Sequence, residues 1–303
     1  MKREAIALMV MEHQLSERRA CALVGLSRDS YRNPAVPSVV NQQLTAQIIE
    51  IAHTRRRAGY RMIHDLLRPT QPGINHKRIY RLYSEAGLAV RRKAKTRRFG
   101  ERVPLIAAET LNQTWSMDFV SDSLSTGRRI KCLTVVDDFS RESVQIAVDF
   151  GMGAGYVTRL LDEAAKFRGY PKAIRTDNGS EFTAKAFLAW TQQNKIEHVL
   201  IQPGCPTQNA YIESFNGSFR NECLNEHWFT SLSDARGEIA RWRRDYNEVR
   251  PHSSIGRIPP AKFAAQHRQL TADAAREPSA INHNSSQQET INYLISYLPQ
   301  ERR

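Results

Sequence analysis

Three β-rich segments, "QTWSMDFVSD", "RRIKCLTVVDDFS" and "ESVQIAVDF", follow one another within residues 113–150 with only short polar turns between them. Connections that short restrict them to pairing as neighbours in an antiparallel meander. The texture then changes. "GAGYVTRLLDEAAKFRGY" (153–170) has the apolar spacing of an amphipathic helix, Lys172–Thr176 reads as a short buried strand, and "TAKAFLAWTQQNK" returns to helical spacing. A further strand, "IEHVLIQPG", leads into a long helix from about Gln208. The last helical stretch, "SDARGEIARWRRDYNEV", opens on a serine cap and stops before Pro251. This order predicts an α/β domain over 105–266, with a mixed five-stranded sheet and flanking helices.

Everything before residue 105 is predicted all-α. "LSERRACALVGLSRDSYR" (15–32) reads as helix, tight turn, helix, with Ser16 and Ser27 as caps and Gly25 as the break. This predicts a helix-turn-helix unit over 1–38. A second helical unit over 39–90 carries Leu44, Ile48, Ile51 and Ala52, then Ile63, Leu66 and Leu67, then Ile79, Leu82 and Ala86. The last of these helices has a face of His76, Lys77, Arg78, Tyr80, Arg81 and Tyr83, basic and aromatic residues suited to phosphate and base contact. "RRKAKTRRFGER" (91–102) lies in a basic linker, 91–104. Beyond 267 the chain turns polar and predicts a poorly ordered tail, with "INYLISYL" unassigned.

The formal net charge is +13, from 44 basic against 31 acidic residues, and the basic residues are clustered. Clustered basicity points to a polyanion, most simply nucleic acid. No apolar run is long enough to span a membrane and no signal peptide is legible, so no membrane association is expected. The four cysteines lack metal-ligand spacing, which argues against structural zinc and for a cytoplasmic setting.

Against this basic background stand three carboxylates. Asp118 lies mid-strand in "WSMDFV". Asp177, in "RTDNGSEF", ends the fourth predicted strand, where active-site groups of open α/β sheets gather. Glu213, in "NAYIESFNGSFRNE", lies on the helix after the fifth strand, with 35 residues between it and Asp177. Three converging carboxylates repel one another unless a hard divalent cation neutralises them, and Mg²⁺ takes oxygen ligands of this kind. Two such ions can activate a hydroxyl and stabilise the leaving oxygen of a phosphodiester.

These motifs, with "YNEVRPHSSIG" and the basic Arg220 seven residues after Glu213, make the segment from Gln113 to about Phe263 resemble the catalytic core of the retroviral-integrase superfamily. The chain is most similar to the second-frame (OrfB) product of insertion sequence family three, a bacterial transposase. The resemblance implies an RNase H-like fold and two Mg²⁺ or Mn²⁺ ions held by Asp118, Asp177 and Glu213. It implies cleavage and joining of DNA strands at element ends, a homo-oligomer on DNA within the bacterial nucleoid, and a first-frame (OrfA) partner protein. DNA contacts are expected from Arg220, Asn209, Lys77, Arg78, Arg81, Arg91, Arg92, Lys93, Arg97 and Arg98; for Asn209 a helix cap is the competing role. Two rival functions stay open at this level. One is a related nuclease that hydrolyses without strand transfer; the other is a DNA-binding regulator with a decayed core.

Overall fold

The computed structural model describes residues 1–33, 38–90, 107–202 and 206–276. The basic linker 91–104 and the segment "INYLISYL" lie outside them. The chain divides into two compact units, 1–94 and 95–303.

In the first unit, α1 (Lys2–Met11), α2 (Glu17–Val24) and α3 (Arg28–Arg32) surround a small core of Ile6, Ala20 and Cys21. The Ser16 side chain accepts from Arg19 N–H, Gly25 takes the left-handed conformation that ends α2, and Ser27 accepts from Ser30 N–H. The helix α1 was not anticipated. A second core joins α4 (Val39–Thr54), α5 (Tyr60–Leu67) and α6 (His76–Glu85) through Leu44, Ile48, Ile63, Leu67, Ile79 and Leu82. Tyr83 corrects the expected basic and aromatic face of α6. It is buried in this core, and its hydroxyl donates to Ala58 O and accepts from Val90 N–H.

The second unit is built on β1 (Thr114–Ser123), β2 (Arg129–Asp137), β3 (Ser143–Asp149), β4 (Ala173–Thr176) and β5 (Glu197–Leu200), in the sheet order β3-β2-β1-β4-β5. The β1–β2 and β2–β3 pairs are antiparallel; β1–β4 and β4–β5 are parallel. Alternation along β1 sends Trp115 and Met117 into a core with α7 (Ala154–Arg168), α8 (Ser180–Thr183) and α9 (Lys185–Gln193). Val120, on the other face, packs with α10 (Ala210–Glu222) and α11 (Leu232–Glu248) around Phe215, Phe219, Trp242 and Tyr246. The expected mixed five-stranded sheet with flanking helices is therefore present.

Four local expectations are corrected. β4 stops at Thr176, leaving Asp177 just past the strand. The single helix expected after it is two, because Ala184 is extended. The α11 cap is Ser231, whose Oγ accepts from Asp234 N–H at 3.1 Å. Finally, α12 (Pro260–Arg276) continues well past residue 267.

Candidate active site

β1 has ten residues and its parallel neighbour β4 only four, so β4 gives out halfway along β1. The register pairs Thr114 with Ala173, Trp115 with Ile174 and Ser116 with Arg175. Continued two positions, it brings Asp118 level with Asp177. Neighbouring strands run about 5 Å apart, so the chain positions of the two acids are brought onto adjacent paths where the ladder ends.

Asp118 shares its face of the sheet with α10. Its Oδ1 accepts from Phe119 N–H at 2.7 Å, and its Oδ2 accepts from Asn216 Nδ2 at 2.9 Å. Thr134, opposite Asp118 on β2, has its hydroxyl 3.0 Å from Asp118 O and 2.9 Å from Asn216 Oδ1. Asn216 thus fixes α10 to both central strands. Glu213 lies three residues earlier on the same helix, so the two share a face. It is exposed in the first turn of α10, where the helix dipole favours an anion.

Asp177 Oδ1 accepts from Gly179 N–H at 3.0 Å. A Cβ at Gly179 would crowd that oxygen at 3.0 Å, so the glycine of "DNGS" is required by close approach of the carboxylate.

The Asp118 carboxyl is pushed up to about 6. Burial is the main cause, and the charges of Asp177 and Glu213 push the same way; the bonds from Phe119 N–H and Asn216 oppose them. Asp118 therefore feels the charges of both other acids. Among the described residues no group of three or more His, Cys, Asp or Glu side chains is arranged so that it could hold a metal ion. The donor set is nonetheless oxygen-only and anionic, which suits a hard divalent cation.

Glu181 has another role. It pairs with Lys131 on β2, which holds its carboxyl below the usual range, and it accepts from Ser180 Oγ at 3.0 Å. Asp137 and Asp138 brace the fold. Asp137 accepts from Asn112, Phe139 and Ser140, and Asp138 Oδ2 accepts from Arg175 Nη1 at 2.6 Å.

Two family models described as "Integrase core domain" match residues 108–206 and 194–260, and one described as "HTH-like domain" matches 40–96. The chain is 65% identical over 275 residues to the insertion element IS476 uncharacterized 39.2 kDa protein of Xanthomonas euvesicatoria, covering 90% of this chain and 80% of that one. The chain belongs to the transposases of insertion sequence family three. A second relative, the insertion element IS407 uncharacterized 31.7 kDa protein of Burkholderia multivorans, is 58% identical over 86% of this chain and 94% of its own length. Among solved structures, the HTLV-2 integrase catalytic core domain in complex with magnesium matches with a TM-score of 0.43 at 18% identity, covering 51% of this chain and 97% of that one.

The other residues expected to touch DNA in this transposase fall into three groups. Arg220 is turned onto β1, its Nη2 donating to Ser121 O at 2.6 Å and its Nη1 3.7 Å from Asp122. Asn209 sits at the α10 cap position without capping it; it is buried, and its Oδ1 has no hydrogen-bond partner among the described residues. Arg78 donates to Asn41 at 2.7 and 2.9 Å, while Lys77 and Arg81 are exposed and Arg81 lies 3.8 Å from Glu85. Arg91, Arg92, Lys93, Arg97 and Arg98 lie outside the described residues. Sequence reasoning missed Asn216, although its three-residue offset from Glu213 was a usable signal. It also missed Lys131 and Thr134, for which β2 offered none.

Proposed function

We propose that this transposase cuts and joins DNA strands at insertion-element ends by in-line transesterification, with Asp118, Asp177 and Glu213 as its catalytic carboxylates. The observation that carries this reading is geometric: the strand register carries Asp118 level with Asp177, and Asn216, bonded to Asp118, ties down the helix that bears Glu213. The Asp118 carboxyl is raised, mainly by burial. Acids whose environments shift them this way cluster at functional sites. The donor set suits Mg²⁺ or Mn²⁺, two ions of which Asp118, Asp177 and Glu213 would hold through their carboxylate oxygens. When bound, such ions favour the deprotonated attacking hydroxyl and neutralise charge on the leaving oxygen.

The chain's own side chains supply position. Phe119 N–H and Asn216 fix the Asp118 carboxylate in one orientation, and Gly179 N–H fixes that of Asp177. Asn216 also sets the rotation of α10 and with it the placement of Glu213. Water attacks the phosphodiester at an element end, the P–O bond to the leaving strand breaks, and a 3′-hydroxyl is freed. That hydroxyl then attacks a second phosphodiester. No side-chain nucleophile is required, since each step is a direct displacement at phosphorus.

On this reading, the helix-turn-helix unit 1–38 and the second helical unit 39–90 bind DNA, the linker 91–104 follows its backbone, and the core is 105–266. A homo-oligomer on DNA, a first-frame partner protein and a place in the nucleoid belong to the same proposal. The test is Glu213→Gln, which keeps side-chain volume and removes one charge. Nicking and strand transfer from pre-cleaved ends should both be lost while end binding persists, whereas Glu181→Gln retains activity. Equal loss in the two variants would remove Glu213 from the site, and full activity in Glu213→Gln would refute the proposal. Cleavage without joining would leave a nuclease.

A further inference from the structure

Three of the four tryptophans are buried: Trp115 at 0% exposure, Trp190 at 8% and Trp242 at 8%. The fourth, Trp228, is 80% exposed. Its neighbours in sequence hold it there. His227 Nδ1 lies 2.8 Å from Cys223 O, and its Nε2 is 3.2 Å from Glu238. Phe229 is buried in the core beneath α10 and α11. His227 is extended, so successive side chains alternate and the indole between two anchored residues is directed outward. Trp is usually well buried, and an outward indole on an anchored backbone is the informative exception.

The surroundings specify a ligand chemistry. Phe229 O accepts from Ser125 N–H at 2.8 Å, which seats the tryptophan segment on the turn joining β1 to β2. That turn carries Arg128, which is exposed. Arg128 sits over the Phe150 ring, its guanidinium carbon 3.4 Å from the ring centre. Nearby acids are engaged, Asp122 with Arg220 and Glu238 with Arg241 and His227. An exposed aromatic face beside guanidinium groups is the arrangement that binds an unpaired nucleic-acid strand, the base stacking on the ring and the phosphates meeting the cations.

We propose that Trp228, with Arg128 of the β1–β2 turn, forms a stacking site for an unpaired DNA base on the same unit as the proposed catalytic carboxylates. It rests on the transposase reading and adds a strand contact to it. From Asp118 to the end of β1 is five residues, or about 17 Å at the strand rise.

Intrinsic fluorescence tests this, because Trp228 is the exposed tryptophan of the chain. A short deoxythymidine oligonucleotide should quench the emission of full-length Glu213→Gln protein, and Trp228→Phe should remove that quench. By anisotropy of the labelled strand, Trp228→Ala should weaken binding about 5- to 100-fold, and Trp228→Phe should restore most of it. Saturated binding with unchanged emission, or equal affinity in Trp228→Ala, would overturn the proposal. So would a Trp228→Ala change that only lowers the oligomeric state of the DNA-free chain, which would mark the surface as a protein contact. Failure of the transposase reading would register separately, as retained nicking in Glu213→Gln.

Discussion

Replacing Asp118 by asparagine should make the protein more stable while making it inactive. The Asp118 carboxyl is pushed up to about 6 in the folded chain, against about 3.9 for an unperturbed aspartate. The folded state thus keeps a proton over a range in which the unfolded chain has released it. The stability this group contributes is fully present below about pH 4 and is lost as the pH rises through about 6. Two units correspond to a ceiling of about 3 kcal/mol at neutral pH, and the group's residual solvent access brings the expectation to about 1–3 kcal/mol. For a unit of this size that is about 3–10 °C in Tm. The substitution is accommodated without a lost hydrogen bond. Phe119 N–H still finds a carbonyl oxygen. Turning the Asn216 amide over lets its oxygen accept from the new side-chain NH₂, and Thr134 Oγ then accepts from Asn216 while donating to the carbonyl of residue 118. The assay is urea unfolding of wild type and Asp118→Asn in a chelator across the acid-to-neutral range. The difference in stability should be small below about pH 4, grow through about 6 and then level off. A difference that is flat with pH, or an Asp118→Asn protein less stable at neutral pH, would refute the electrostatic account of the site.

Other consequences are open to measurement. Asn216→Ala should lower turnover about 10- to 100-fold with DNA affinity unchanged, as expected for a group that orients a catalytic one, and equal losses in turnover and affinity would contradict that. Arg250 grips Glu222 through bonds of 2.6 and 2.7 Å, both side chains largely buried, so Glu222→Gln should cost about 3–5 kcal/mol in urea unfolding. A fragment ending after Ala94, the boundary of the first compact unit, should bind DNA with an affinity that falls steeply with salt in a gel-shift titration. Salt-independent binding would exclude phosphate contacts as its source.

The sheet was legible because strand alternation and short connections are local properties of the chain. Trp115, Met117 and Val120 could be assigned to opposite faces from their spacing alone, and helix ends were readable at Ser16, Gly25 and Ser27 because caps act within a few residues. The acids proposed as catalytic, Asp118, Asp177 and Glu213, could be singled out from the sequence, since acids embedded in apolar or turn motifs stand out. Partnerships across the fold were not. In "ESFNG" the three-residue offset puts Asn216 on the Glu213 face of the helix, but nothing there names Asp118 as its partner, and "RLYSEAG" does not reveal that Tyr83 turns inward to Ala58. The partners of Arg220 and Glu181, Ser121 and Lys131, are far away in sequence, so their commitments become visible only once β1, β2 and α10 are assembled.

β4 ends before Asp177, and the ladder between β1 and β4 closes before it reaches Asp118. On the proposed reading the chemistry is therefore placed past the end of the β1–β4 ladder, although Asp118 itself still pairs with Thr134 in the β1–β2 ladder. This separation has an evolutionary consequence: inactivation and unfolding are independent events for such a gene. A copy that exchanges Asp118 for an amide keeps its fold and gains stability, and its DNA-contacting surfaces remain untouched. We expect such silent copies to persist as soluble competitors for the ends that active copies require, so that an ageing population of elements restrains itself through its own casualties.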